Sequence, residues 1–286
     1  MITPIEYKDL TPELARAGCF VIGMPNEAYH AYEGISKSGL DLIERSPAHY
    51  AHREQSVPTR AMILGSAIHC AIFEPETFDQ QYLLLRDVTD RRSSAYKEAV
   101  KARSEDSVLT GKEADQVKGM QDAIQLNSEA VALLEHAGWC ELSAFVECPV
   151  TGVLLRVRFD KLNSNGVAVD LKSTQDIRYN QFQRSIANYR YHVQDALYSR
   201  VYELITGEPL QSFKFLCVES ASPHASKIYT LDDEAKLVGA RIAMRNLQTY
   251  ADCVRSGNWP YPDGTEELMS LPAWALEDED FAEVTV

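Results

Sequence analysis

Hydrophobic and polar positions change their spacing along this chain near residue 139, and the two halves predict different secondary structure. In the first half, apolar residues recur at helical spacing. The pattern predicts a short helix over 36–45, started by a serine cap and ended before a proline, and a second helix over 61–73. The polar stretch 86–136 is also helix-prone, with its best helix candidate at 113–137. This stretch is either an insertion that covers a functional site or a plain solvated bundle.

The second half predicts a sheet with helices packed against it. Turn residues at 149–152 and 163–166 separate three strand-like segments. A long helix with Gly207 as its stop signal, another strand and a closing helix follow. The predicted elements are strands 140–148, 152–162 and 167–172, helix 179–205, strand 212–219 and helix 232–255. This order predicts an α/β (α+β) fold, a mixed core that follows a helical N-terminal part.

Three charged residues stand at the ends of the second and third predicted strands. Side chains alternate between the two faces of a strand, so Asp170 and Lys172 share one face while Leu171 points into the core. Asp160 ends the preceding strand. Two carboxylates from adjacent strands, completed by the backbone carbonyl of Leu171, are ligands of the kind that Mg²⁺ prefers. Lys172 beside such an ion could position and deprotonate a water molecule, or stabilise developing charge on a phosphate.

The same tripeptide has a simpler explanation as a surface ion pair at a strand end, because Asp-x-Lys is common. The hairpin context and the upstream Asp160 favour a site. A glycine-rich phosphate loop is absent from the sequence, which argues against an intrinsic ATPase.

Four short motifs, in the correct order, resemble the RecB-like PD-(D/E)XK nuclease superfamily. Phe159-Asp160 followed by Val169-Asp-Leu-Lys-Ser173 resembles its D…(D/E)XK core. Gly65-Ser-Ala-Ile-His69 resembles the helix histidine upstream of that core. Gln194-Asp-Ala-Leu-Tyr198 resembles the Q-x-x-x-Y motif on the helix after the catalytic strand, and Pro47-Ala-His-Tyr50 fits the opening helix. The resemblance implies a restriction-endonuclease-like core with a central mixed sheet.

The resemblance implies a role for each residue of the core. His69, Asp160 and Asp170, with the carbonyl of Leu171, are expected to bind Mg²⁺, for which Mn²⁺ can substitute. Lys172 is expected to assist the attacking water. These residues are the predicted catalytic centre.

Further residues are candidates for supporting this centre. The resemblance implies that Gln194 reaches Lys172 or the scissile phosphate and that Tyr198 supports the site, although both lie on a helix face that core packing would also explain. An additional acid is expected on the strand before Asp160. Glu141 and Glu147 share one parity there, and Glu141 is preferred.

The most similar type within the superfamily is the phage and prophage exonuclease VIII (RecE) kind, because segment 29–38 and Trp259-Pro-Tyr261 also match it. This likeness implies an exodeoxyribonuclease that degrades linear double-stranded DNA from free ends, 5′-to-3′, and leaves 3′ single-stranded tails for phage-type recombination. It also implies a homo-oligomeric ring. The predicted domains are an N-terminal extension (1–35), a nuclease domain (36–262) with a helical insertion (86–137), and an acidic tail (263–286).

Charge changes this picture only in part. The formal net charge of −14 weakens a nucleic-acid interpretation, because phosphates attract Lys and Arg. Five acids and no base lie within 277–283, so part of the excess is local. The tail is either solvated or a docking segment for a single-strand-annealing partner. Arginines that could grip phosphates are Arg45, Arg53, Arg60, Arg91, Arg92, Arg156 and Arg158.

The composition predicts a soluble globular protein. No apolar run reaches the roughly 18 to 20 residues that span a bilayer, and the N-terminus lacks the layout of a signal peptide, so a cytoplasmic location in a bacterium, or for a phage-encoded protein, is expected. The six cysteines include no C-x-x-C pair, which argues against the rival assignment to CRISPR-associated RecB-like nucleases with an iron–sulfur cluster. A catalytically inactive nuclease fold that binds DNA or scaffolds a complex is the other alternative.

Overall fold

The computed structural model describes residues 2–54 and 57–271, and these residues build a mixed sheet covered by helices on both faces. The strands are β1 (Ile5–Glu6), β2 (Cys19–Ile22), β3 (Leu83–Leu85), β4 (Val108–Thr110), β5 (Gly138–Glu147), β6 (Leu154–Asn163), β7 (Val167–Thr174), β8 (Ser212–Glu219) and β9 (Ser226–Tyr229). The helices are α1 (Pro12–Ala17), α2 (Asn26–Ala31), α3 (Lys37–Arg45), α4 (Pro47–Ala51), α5 (Arg60–Phe73), α6 (Phe78–Gln81), α7 (Ser94–Ala102), α8 (Gly111–Gln125), α9 (Ser128–Glu135), α10 (Tyr179–Asn188), α11 (Tyr191–Thr206) and α12 (Asp233–Ser256).

The central sheet has seven strands in the order β1-β2-β5-β6-β7-β8-β9. The pairs β1–β2 and β7–β8 are parallel, and the others are antiparallel. β3 and β4 form a separate two-stranded sheet. The predicted α/β fold with a central mixed sheet flanked by helices is therefore confirmed.

β7 is an interior strand of the sheet, between β6 and β8, and is buried on both faces. Val167, Val169 and Leu171 pack into a core formed with α5, α8 and α9, while Ala168 faces the opposite core, formed with α3 and α10 to α12. Burying an aliphatic side chain of this size contributes about 1.5–3 kcal/mol. The alternation of β7 thus sends Asp170 and Lys172 toward α11 and leaves the Leu171 side chain under α5.

Two of the predicted helices are each divided in the structure. The predicted helix 113–137 is wrong as a single element: α8 ends at Gln125, and the Asn127 side chain accepts a hydrogen bond from Ala130 N at 3.1 Å to start α9. The predicted helix 179–205 is likewise two helices, because Arg190 between α10 and α11 has a left-handed backbone with φ 56°. A helix cannot continue through that conformation.

Several other predicted elements match the structure closely. The Ser36 side chain caps α3, the Asp232 side chain caps α12, and Gly207 ends α11 with φ 76°. The turn-rich N-terminal segment contributes more than the sequence indicated, since β1 and β2 extend the central sheet and Ile35 bridges to Leu155. Strand β9 was not predicted.

Most of the predicted acidic tail, residues 272–286, lies outside the described residues. In the part of the chain that the structure describes, every helix is either too short or too polar to cross a membrane.

The contact between α11 and α12 requires a glycine and gives a stability prediction. A Cβ at Gly239 would lie 2.1 Å from the carbonyl oxygen of His192, closer than atoms can approach. Alanine normally stabilises a helix interior by roughly 0.5–1 kcal/mol relative to glycine. We expect Gly239→Ala instead to lower the free energy of unfolding by about 1–3 kcal/mol, because α12 must move away from α11. Urea unfolding followed by circular dichroism measures this.

The control is Gly65→Ala in α5, where the nearest atom to an added Cβ is Ser173 Oγ at an ordinary 3.6 Å. This substitution should raise the urea midpoint, with the normal sign of a glycine-to-alanine change in a helix. A Gly239→Ala midpoint equal to or above that of the wild type would contradict the close approach of the two helices.

Candidate metal and catalytic site

The site lies where strands β6 and β7 separate. The two strands pair only at Lys161–Val169 and Leu162–Ala168. Beyond these pairs, the Asp160 carboxylate accepts a hydrogen bond from Leu171 N at 2.9 Å, taking the place of a backbone carbonyl. The gap between the strands exposes the polar backbone groups of Leu171 to side chains from other elements.

The same level of the sheet breaks the alternation of β5 and β6. Leu142 of β5 pairs with Phe159 of β6, and both side chains face one core. Trp139 and Leu162, each three residues away on its strand, also pair with each other and face the same core. Strict alternation would put residues three apart on opposite faces. Glu141, between these pairs, has a left-handed backbone with φ 48°, which is uncommon and strained for a residue with a side chain.

His69 reaches the gap from α5, on the opposite side of the sheet from α11. Its Nε2 lies 2.9 Å from the carbonyl oxygen of Leu171, and its Nδ1 lies 3.4 Å from Asp160 Oδ2. Two ligands at right angles around an ion with bonds of about 2.1 Å would be about 3 Å apart. The His69 nitrogen and the Leu171 oxygen are at hydrogen-bond distance, and this spacing also suits neighbouring ligands of one octahedral ion.

Glu141 completes a cluster with His69 and Asp160. One ligand atom from each of the three residues lies within 4.8 Å of the other two. Arg158 Nε donates a hydrogen bond to Glu141 Oε2 at 2.8 Å, which orients the carboxylate. Glu147 is placed elsewhere, since it pairs with Arg16 at 2.7 Å. Of the two glutamates considered from the sequence, the structure brings Glu141 to the predicted metal ligands.

Asp170 occupies a different position from the other predicted ligands. Lys172 Nζ lies 2.6 Å from Asp170 Oδ2, and Gln194 Nε2 donates to Asp170 Oδ1 at 2.6 Å. Gln194 was expected to reach Lys172 or a phosphate, and it instead holds the Asp170 carboxylate. Lys172 Nζ also lies 4.6 Å from the ring centroid of Tyr191, a cation–π contact. The ammonium group is thus fixed from two sides.

Tyr198 supports the strand that carries Asp160. Its ring meets Phe159 edge-on at 5.1 Å and Phe213 edge-on at 5.7 Å between centroids. Burial raises the pKa of Tyr198 well above its usual range, so the hydroxyl stays protonated. Tyr198 therefore packs against the strand that carries Asp160, and it also lines the cleft.

The buried charges of the site are unbalanced. Burial, and then the charge of Asp160, raise the pKa of Glu141 to about 7. Burial, and then the charge of Asp170, raise the pKa of Asp160 well above its usual range. Burial opposes the charge of Lys172, but Asp170 and Asp160 outweigh it and raise the lysine pKa. The site holds more carboxylate than its own cations neutralise.

Burial lowers the pKa of His69, so its imidazole favours the neutral form that binds metals. Two carboxylates, a neutral imidazole and a backbone carbonyl converge on one gap, in which Arg158 pairs with Glu141 while Lys172 pairs with Asp170 rather than with Asp160. The residues present therefore fit a divalent cation.

These groups open into a cleft of about 1160 Å³. Of the arginines considered from the sequence, Arg45 and Arg158 line it. Others have partners away from it: Arg60 binds Glu113 through two hydrogen bonds of 2.6 Å. The cleft also contains Lys37, Tyr189 and Arg190, which sequence reasoning missed. The polar run Asn188-Tyr-Arg190 interrupts the predicted long helix. This interruption was the sequence signal that could have pointed to Tyr189 and Arg190.

Comparison with known proteins gives the family and the fold of this chain. A family model described as "PDDEXK-like domain of unknown function (DUF3799)" matches residues 36–271. No curated protein sequence matches the chain. Among solved structures, the chain is similar to a "putative exonuclease" from Eubacterium rectale, with 16% identity, a TM-score of 0.57, and coverage of 86% of this chain and 96% of that chain. It is also similar to a phage-related exonuclease from Haemophilus somnus 129PT, with 12% identity, a TM-score of 0.33, and coverage of 80% and 98%.

The Eubacterium rectale structure shows a shared fold, and the family match extends over most of the chain. The nuclease-superfamily membership that the four motifs indicated is confirmed. This chain belongs to the PDDEXK-like DUF3799 family.

Proposed function

We propose that this protein is a Mg²⁺-dependent exodeoxyribonuclease that degrades linear double-stranded DNA in the 5′-to-3′ direction and leaves 3′ single-stranded tails. The observation that carries the proposal is the convergence of His69, Glu141 and Asp160 within 4.8 Å, beside the Leu171 carbonyl. Lys172 lies one residue further along the same strand. The pairing of such a ligand set with a fixed ammonium group suits hydrolysis of a phosphodiester.

His69, Glu141, Asp160 and the Leu171 carbonyl would hold the cation, with the buried Asp170 engaged by Lys172 and Gln194. The chemistry that a divalent cation supplies there is neutralisation of charge on the phosphoryl oxygens and a lower pKa for water. Mn²⁺ suits the same donors, since the set includes an imidazole.

Lys172 acts on the phosphate as a positive charge. Its raised pKa keeps it protonated, and its side chain is mostly buried, so the ammonium group is prearranged for charge that develops at the reacting phosphorus. Asp170 holds it in position through an ion pair, and Gln194 in turn donates a hydrogen bond to the Asp170 carboxylate. A water molecule between Lys172 and the carboxylates would be oriented for attack.

The direction of digestion, the free DNA end as substrate and a homo-oligomeric ring are proposed from the likeness to the exonuclease VIII type. A ring would reconcile the net charge of −14 with DNA binding, because basic groups could line its channel while acids face outward. A single-strand-annealing protein would then be the partner that takes over the 3′ tail.

The activity is tested with linear duplex DNA labelled at either end. We expect the wild type with Mg²⁺ to release the 5′ label first, EDTA to stop release, and Lys172→Ala to lower the rate by about 10²–10³-fold, because transition-state charge loses its partner. Thermal unfolding of the variant, together with Lys172→Arg, which keeps the charge, separates lost chemistry from lost folding.

Intact DNA with both the wild type and the variant would refute the nuclease proposal. If the 3′ label is released first, the nuclease proposal stands but the proposed 5′-to-3′ direction is excluded.

Metal binding is tested by titrating Mn²⁺ into the protein in a calorimeter, without DNA. Asp160→Asn and Glu141→Gln should each weaken binding by at least about tenfold, because each removes a charged ligand. Glu147→Gln is the matched control, since this residue lies on the same strand but pairs with Arg16. Equal affinities for Glu141→Gln and Glu147→Gln would exclude Glu141 from the ligand set.

A further inference from the structure

Tyr189 stands at the catalytic cleft with its ring largely open to solvent. The side chain lines the cleft, and the residue is 61% exposed. Its ring stacks on Tyr191 with centroids 5.6 Å apart and an angle of 26° between the planes. One face of the Tyr189 ring is therefore covered by Tyr191, and the other face is available to a ligand.

Two aromatic contacts connect this ring to the catalytic lysine. Lys172 Nζ lies over Tyr191 at 4.6 Å, and Tyr191 in turn stacks on Tyr189. Tyr191 also stacks on the buried Phe215 at 5.7 Å, which anchors the row in the core. The open face of Tyr189 thus lies at a fixed place relative to the group that would act on a phosphate.

The residue that follows Tyr189 has an unfavourable backbone conformation. Arg190 takes a left-handed conformation, φ 56°, that a residue with a side chain rarely adopts. This conformation ends α10, starts α11 and turns Tyr189 outward. Strained backbone persists where its surroundings enforce it, and it concentrates at binding sites.

Helix α3 enforces that shape through ion pairs. Arg190 lies 3.1 Å from Asp41 and 3.1 Å from Glu44. Lys37 binds Asp41 at 2.7 Å and donates a hydrogen bond to the carbonyl oxygen of Tyr189 at 2.5 Å. Lys37 thus holds the Tyr189 carbonyl directly, while Asp41 and Glu44 hold its neighbour Arg190, an arrangement that packing alone does not require.

We propose that Tyr189 is a stacking residue for a nucleobase of the DNA strand whose phosphate lies at Lys172. Every base has a π-face, so such a contact positions the strand without reading its sequence. The inference rests on the proposed nuclease function and adds to it a residue that sets the register of the DNA end. Tyr189 is a binding and positioning residue, whereas Lys172 and the metal ligands act on the reacting atoms.

The test combines variants of Tyr189 with duplexes that carry one abasic nucleotide at each of the first several positions from the end. With the wild type, one abasic position should lower kcat/KM by about 5- to 150-fold, the range that follows from base–aromatic stacking. Tyr189→Ala should lower kcat/KM on intact DNA by the same factor and should be insensitive to that abasic position. Tyr189→Phe and Tyr189→Trp should retain stacking and activity.

The matched control is Tyr179→Ala. Tyr179 opens α10, the helix that ends just before Tyr189, and is similarly exposed, at 63%, but it is outside the lining of the cleft in the described residues. Its replacement should change neither kcat/KM nor the response to abasic DNA. If the role of Tyr189 were purely structural, Tyr189→Ala would lower activity on intact and on abasic DNA by the same factor. That result would overturn the stacking assignment. Loss of activity in Tyr189→Phe would overturn it as well, because it would assign the effect to the hydroxyl group.

Binding of the same duplexes, measured by fluorescence anisotropy with Ca²⁺ in place of Mg²⁺, separates this inference from the proposed function. If the wild type cuts no DNA while its binding still shows the same coupling between Tyr189 and one abasic position, the nuclease proposal fails and the assignment of Tyr189 as a stacking residue stands. If the wild type cuts DNA but shows no such coupling, the nuclease proposal stands and Tyr189 is excluded as a stacking residue. Absence of DNA binding overturns both.

Discussion

The hydrogen bond from Leu171 N to the Asp160 carboxylate is the interaction on which the site depends. A side chain here replaces the next backbone pair of the β6–β7 ladder, so the two strands separate while β8 still holds β7 on its other edge. Since the N–H and C=O of one strand residue point to the same edge, the carbonyl of Leu171 opens into the same gap. His69 can therefore meet it from α5. One local exchange of partners thus converts a continuous sheet into a ligand site that both layers of helices can reach.

Burial gives this gap its electrostatic character. Glu141 and Asp160 are placed together in surroundings that raise the pKa of both, while Lys172 is committed to Asp170. Removing charges from water is costly unless a partner compensates them, and a divalent cation would compensate this excess. The acidity of the whole chain and the acidity of the site are separate matters, because the cleft wall also holds basic side chains: Arg45, and Lys37 and Arg190 with their acidic partners Asp41 and Glu44. Net charge by itself therefore does not decide whether DNA can approach.

The helices differ in what they contribute to the centre. α5 delivers His69 from one side of the sheet, and α11 delivers Gln194 from the other. The close approach of α12 at Gly239 keeps α11 in place. α3 has a separate part, since its charged residues hold the break at Arg190 and with it the mouth of the cleft. Rigid elements surround the proposed chemistry on every side, a precondition for catalysis by prearranged charge.

Local patterns in the sequence determined the order of the main elements, the alternation that puts Asp170 and Lys172 on one face of β7, and the motifs that indicated the family. These features follow from neighbouring residues, through strand parity, helix caps and short motifs. Only the tertiary structure decided which glutamate joins His69, since Glu141 and Glu147 share one parity and the left-handed backbone at Glu141 breaks it. It also decided that Gln194 holds Asp170, and that Arg190 divides a long predicted helix. A strained residue is stabilised by partners distant in sequence, Asp41 and Glu44 in the case of Arg190, and such partners leave no periodic signal along the chain.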